Sequence, residues 1–185
     1  AVRSATVMFK RLVRSAIAAG RVDRDAVAVA TDDGFIHELM RQDATGLARC
    51  LRERRLAKRA LDLPAAELPA ATPSWPSDDP ELLERVENRL ARDVGLAPGE
   101  LFLDFPVKAE MLALDLPLVK RDRAETISEL GVPRLAAELS RAARRLRVFV
   151  RAPATVPARA IVELVMMPPR DVVAKLEGEG PLLSG

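Results

Sequence analysis

The side chains best placed to do chemistry in this sequence are cationic. Residues 41–59 hold Arg41, Arg49, Arg52, Arg54, Arg55, Lys58 and Arg59 against only Asp43 and Glu53. Residues 134–151 hold Arg134, Arg141, Arg144, Arg145, Arg147 and Arg151 against only Glu138. Both runs are strongly positive in a chain whose formal net charge is just +2. A charge run on a helix is ordinarily a solvated face, and the helical arginines are read that way. Cations next to strands are a different case. If the first and last strands of a sheet lie antiparallel, Lys58, with Arg54 just before it, approaches Arg151. Convergence of like charges is unfavourable unless an anion neutralises it. A polyphosphate suits the position, because arginine offers phosphate oxygens a planar fork of donors. Arg54, Lys58 and Arg151 are therefore the candidate anion- or nucleotide-binding residues.

The other reactive residue types have no partners. His37 is the only histidine. A zinc centre or a metal site of several imidazoles cannot be built from it alone, and a Ser-His-Asp triad would have to pass through it. No metal ligand and no catalytic residue is assigned. Asp32-Asp33 and Asp78-Asp79 are acid pairs, but each follows a Ser or Thr at a helix start, where carboxylates cap and meet the helix dipole. Cys50, the only cysteine, reads as core. It excludes an intramolecular disulfide and favours a reducing, cytoplasmic compartment. Gly178-Glu179-Gly180-Pro181 looks like a phosphate loop only superficially, since it follows no strand and opens no helix.

The elements that must position these residues follow from spacing. Val2, Ala5, Val7, Met8, Leu12, Val13, Ala16 and Ile17 recur with helical period, and Gly20 stops that helix. Thr31 caps a second helix, with Phe35, Ile36, Leu39 and Met40 on one face. Asp43 or Thr45 caps a third, running to about Arg55 with Leu47, Cys50 and Leu51 buried. Leu56–Leu63 then alternates as a strand and ends at Pro64. Residues 64–77 form a proline-rich loop. Ser77 caps a helix over Pro80–Val94, closed by Gly95. Strands are expected over Leu101–Phe105, Met111–Val119 and Arg147–Arg151, with a helix over Val132–Arg145 between the last two. The order from Leu56 is β-α-β-β-α-β, the split βαβ or ferredoxin-like pattern. The expected fold class is α+β, with a helical segment over 1–55, a ferredoxin-like lobe over 56–151 and a proline-rich tail over 152–185 with a short helix at Arg170–Leu176. Apolar residues make up 49% of 185, enough for a buried core, and no run of ~18 apolar residues marks a membrane span.

Two stretches carry a family resemblance. Thr31-Asp32-Asp33-Gly34-Phe35-Ile36-His37-Glu38-Leu39, followed by Leu51-Arg52-Glu53-Arg54-Arg55-Leu56-Ala57-Lys58, resembles the segment just after the catalytic domain of HD-domain phosphohydrolases, the SAM- and HD-domain dNTP triphosphohydrolases and their bacterial and archaeal relatives. Glu100–Phe105 and Leu146–Arg151 are similar to later strands of that region. The resemblance runs from about residue 1 to 151. It implies a helical HD core N-terminal to Ala1, binding a divalent metal through His, a His-Asp pair and Asp. It also implies a C-terminal lobe that supports oligomers and lends basic residues to a regulatory nucleotide site. By motif position Arg54 and Lys58 match the Arg and Lys of the family's turn, and Arg151 a basic residue after the last strand. Where the family has aromatic residues in the turn this chain has Ala57, and it has no tyrosine.

The sequence thus reads as the C-terminal lobe of a metal-dependent nucleotide phosphohydrolase, without the catalytic site and with no cofactor of its own. Its expected partners are the HD domain of the same protein, further copies of the chain and a (d)NTP. Two rivals stay open at this level. One is an RNA-binding module on the same fold, which needs exposed aromatic platforms. The other is a ligand-free dimerisation lobe.

Overall fold

The computed structural model describes residues 2–43, 45–69, 73–105, 117–120, 123–126 and 144–183. Helix α1 (Val2–Ala18) ends where expected. Gly20 adopts φ +64°, and Arg21 and Gly20 donate to the carbonyls of Ala16 and Ile17 (both 2.9 Å). That crossed pair closes a helix through a left-handed residue. A short helix absent from the sequence reading, α2 (Arg24–Val29), is capped by Asp23. In α3 (Asp32–Gln42) the Thr31 side chain accepts from the Gly34 N–H, and Asp32 and Asp33 occupy the first turn. The acid pair is therefore part of a helix start. Asp43 joins α3 to α4 (Leu47–Arg52), accepting from the N–H groups of Thr45 (2.8 Å) and Ala48 (2.7 Å).

The sheet contains β1 (Lys58–Pro64), β2 (Leu101–Asp104) and β5 (Arg145–Val150) in the order β1-β5-β2, antiparallel throughout. A separate antiparallel pair is made by β3 (Pro117–Lys120) and β4 (Arg123–Thr126). The chain is thus α+β, and the first and last strands are neighbours. The ferredoxin-like arrangement, however, puts the last strand at an edge, whereas here it is central. The reason lies in β5 itself. Leu146, Val148 and Val150 are buried on one face, and Phe149, beside the half-buried Arg145 and Arg147, is buried on the other, and a strand covered on both faces belongs in the middle of a sheet. Of the strand expected at 111–119, residues 111–116 lie outside the described residues, as does the helix expected at 132–145 up to residue 143. Arg145 already belongs to β5.

Between β1 and β2, α5 (Trp75–Asp78) and α6 (Pro80–Asp93) pack on the sheet. Asp79, not Ser77, caps α6, accepting from the Leu82 N–H at 2.9 Å. Pro80 needs no N–H at the first helical position, which favours the residue directly before it as cap. Ser77 donates instead to the Phe105 carbonyl at 3.0 Å.

Each sheet face has its own core. Leu101, Leu103, Leu146, Val148 and Val150 meet Leu82, Leu83, Val86 and Leu90 of α6. Phe102 and Phe149 point the other way and pack with Met8, Leu12, Leu39, Leu47 and Cys50 of the helical segment. The expected tail is part of the first core. Helices α7 (Ala158–Val165) and α8 (Pro169–Glu177) bury Ile161, Leu164, Val165 and Val172, and Leu182 follows them. α8 covers the helix expected at Arg170–Leu176, whereas α7, whose apolar residues have the same helical spacing, is not among the expected elements because prolines flank it. Among the described residues no helix is long and apolar enough to cross a membrane.

Candidate anion-binding cleft

Lys58 opens β1 opposite Val150, so the ends of the first and last strands do meet. Arg54 reaches the same place by an unusual backbone. It follows α4 at φ +56°, the only described non-glycine residue with positive φ. Arg54 and Arg55 donate to the carbonyls of Leu51 (3.2 Å) and Cys50 (2.8 Å), the same crossed pair that Gly20 makes. A side chain in this left-handed conformation costs on the order of 1 kcal/mol, and such strain collects at functional positions.

Arg54 and Lys58 line one open cleft of about 710 Å³ together with Arg3, Arg59 and Arg147. Its floor is fixed by α1: the Ser4 hydroxyl donates to the Ala57 carbonyl at 2.7 Å, and Ala57 is buried near Met8. Arg151, the third expected cation, is absent from this lining. Its guanidinium turns back to the helical segment, donating to the Thr45 carbonyl (3.2 Å) and the Cys50 sulfur (3.3 Å). It anchors the end of β5 to α4.

Arg3, Arg59 and Arg147 escaped the sequence reading for identifiable reasons. Arg3 depends on how α1 is turned. Arg59 depends on a bulge: the register runs Arg59↔Phe149 and then Leu61↔Val148, leaving Ala60 unpaired. In a regular strand residues 59 and 62 face opposite sides. The extra residue puts Arg59 on the face of Asp62, with which it pairs, and of Arg147, opposite Asp62 in register. Bulges re-aim side chains in this way and recur beside functional sites.

The charges in the cleft are unevenly compensated. Arg3 chelates Asp104 through Nε (2.9 Å) and Nη2. Arg147 lies 3.4 Å from Asp62 and 3.5 Å from Asp104. Asp62 also accepts from Arg145 Nε at 2.5 Å. Burial pushes the Asp62 carboxyl up, but the hydrogen bond and charge of Arg145, with the charges of Arg147 and Arg59, outweigh it and hold it below the usual carboxylate range. Arg54 and Lys58, both exposed, have no ion-pair partner among the described residues.

A second polar cluster, unexpected from sequence, joins α1 to α6. Arg11 meets Glu84 (3.0 Å), Glu87 (2.7 Å) and Asn88 (2.9 Å). Glu87 is buried, and burial pushes its carboxyl up to about 7 against the pull of Arg11. The signal was available: residue 87 falls on the apolar stripe of α6 between Leu83 and Leu90.

The remaining candidates have structural surroundings. His37 is exposed on α3, Cys50 is buried, and no three His, Cys, Asp or Glu side chains group as metal ligands among the described residues. The divalent metal implied for an HD core does not fit these residues. The Gly178, Glu179 and Gly180 carbonyls accept from Arg89, the opposite polarity to a phosphate loop. Phe102, Phe105 and Phe149 are buried, so the sheet offers no base-stacking platform from them.

A family model described as the HD associated region matches residues 1–167 of the chain. No curated protein and no solved structure matches it.

Proposed function

We propose, from the premise that this chain belongs to the HD-associated region family, that it is the accessory lobe of a metal-dependent nucleotide phosphohydrolase and holds a nucleoside polyphosphate in the Arg54–Lys58 cleft. The HD domain it accompanies supplies the metal and the hydrolytic chemistry. This lobe supplies a packed sheet, a surface for assembly with further copies, and the anion site.

One observation carries the reading. Arg54 and Lys58 line the same cleft with no ion-pair partner among the described residues, and Arg54 does so from a strained backbone position. Two exposed cations held together are unfavourable alone and become favourable around phosphate oxygens. The family resemblance of the Arg54-to-Lys58 turn points to the same ligand class. The test is the Arg54→Ala/Lys58→Ala double variant of the full-length protein. Nucleotide-dependent activation or assembly should fall at least tenfold in nucleotide affinity. An unchanged nucleotide response would leave the pair as a solvated face, and oligomers indifferent to any nucleotide would leave a purely structural lobe. An RNA shift that weakens steeply with salt would favour the nucleic-acid alternative.

A further inference from the structure

The C-terminal segment is held at two points by different means. At its near end, the buried Trp75 donates its Nε1–H to the Met167 carbonyl at 3.1 Å. The hydrogen-bond ladder of α7 stops at the same residue, where the Met167 N–H donates to the Leu164 carbonyl at 3.1 Å. Pro168 and Pro169 have no N–H with which to continue it. At the far end, Arg89 on α6 donates from Nη2 to the carbonyls of Gly178 (3.4 Å), Glu179 (3.2 Å) and Gly180. One turn along α6, Asp93 lies 3.5 Å from Arg89 and accepts the Leu182 N–H at 2.7 Å. A cation suits the carbonyl end of a helix, and Leu182 is buried beside this pair. Between the two points burial is thin. Helix α7 buries Ala160, Ile161, Leu164 and Val165, whereas α8 buries Val172 alone.

We infer that residues 168–182 form a clasp on α6, hinged at Pro168-Pro169 and latched by Arg89 and Asp93, which opens as one unit while α7 and the sheet stay folded. The hinge makes this possible. Parting at the prolines breaks no bond of the α7 ladder, and Trp75 keeps Met167 in place. The latch makes it a single event. Arg89 holds three carbonyls from one nitrogen and also meets Asp93, so losing one side chain loosens the whole far end. The burial sets its rank among the elements. Segments with few buried apolar contacts open below the global unfolding free energy, and Val172 and Leu182 are the buried side chains of the clasp. Opening bares the face of α6 that α8 covers. That core lies on the other side of the sheet from the Arg54–Lys58 cleft, so the clasp does not depend on the anion site.

The experiment is native-state hydrogen exchange of the full-length protein, read at amides of α8, α7 and β5. In the wild type the amides from Val173 to Leu176 should exchange at least tenfold faster than those of Leu164 and Val148, on the scale of their intrinsic rates. Their rates should respond only weakly to low urea, because a local opening exposes little surface. Equal protection and equal urea dependence at all three places would overturn the inference, since the tail would then open only with the whole domain. This comparison needs no variant. Arg89→Gln then removes the latch through a side chain that is 23% exposed. It should speed exchange in α8 a further tenfold and leave Leu164 and Val148 unchanged. Acceleration of Leu164 by the same factor would make α7 and α8 one unit and overturn the hinge. Global unfolding of Arg89→Gln, or α8 amides that do not respond to it, would overturn the latch.

Discussion

The Glu87 carboxylate accepts the Leu103 backbone N–H at 2.8 Å, so a helix side chain closes the outer edge of β2. Its other oxygen takes the Arg11 guanidinium at 2.7 Å. One buried acid therefore ties α1, α6 and the sheet together. An unpaired strand edge is a template for wrong pairing, and a side-chain acceptor at Leu103 blocks it. The arrangement puts a carboxylate out of water, which is costly even when it is paired.

That cost has a pH signature. Burial raises Glu87 to about 7, above its ordinary value of 4.5. Between those values the folded state binds the proton more tightly than the unfolded state. Stability from this group is therefore greatest below pH 4.5, falls as pH rises through 7 and levels off above it. In Glu87→Gln the titration is gone. Urea unfolding at pH 5 and pH 8 should show the variant losing less stability across the interval than the wild type. Parallel losses would show that Glu87 is ionised throughout and that Arg11, not burial, governs it.

The strained turn makes a second expectation specific. Arg54 occupies a backbone position that glycine fills without cost. Arg54→Gly should raise folding stability by ~0.5–1 kcal/mol while weakening polyphosphate binding severalfold. Paired denaturation and titration would check it. A variant both less stable and binding normally would mean that the arginine is kept for packing.

How far these features could be read in advance depended on whether the signal was local. Thr31, Gly20 and the apolar stripe of α6 act within one turn, and each appears where the sequence put it. The approach of Lys58 to the end of β5 also followed, because antiparallel neighbours bring opposite ends together. The central place of β5 did not, since it is decided by two cores built from residues far apart in sequence. Nor did the orientation of Arg151, because the Thr45 carbonyl and Cys50 sulfur that receive it lie more than a hundred positions away. Arg3 and the bulged Arg59 were hidden for the same reason: a rotation of α1 and one unpaired residue in β1 decide where they point.

The C-terminal helices give a stability prediction. Ile161 is fully buried between the sheet and its neighbours. Ile161→Ala should cost ~2–5 kcal/mol, the range for emptying a packed core site, as seen in the denaturant midpoint. A loss below about 1 kcal/mol, ordinary for a surface change, would mean that α7 is dispensable to the core.

Arg151 and Lys58 sit at neighbouring strand ends and should separate two roles. The Arg151 guanidinium is committed to Thr45 and Cys50 and stays out of the cleft. Arg151→Ala should lower stability by about 1–2 kcal/mol, the cost of unpairing hydrogen-bonded groups near a core, and leave tripolyphosphate affinity within about twofold. Lys58→Ala should do the reverse, because Lys58 is exposed and without an ion-pair partner among the described residues. Its loss removes a phosphate contact and should flatten the salt dependence of binding, since a ligated cation sets that slope. Equal loss of affinity in both variants would place Arg151 at the ligand and require its side chain to swing out of the α4 contact on binding.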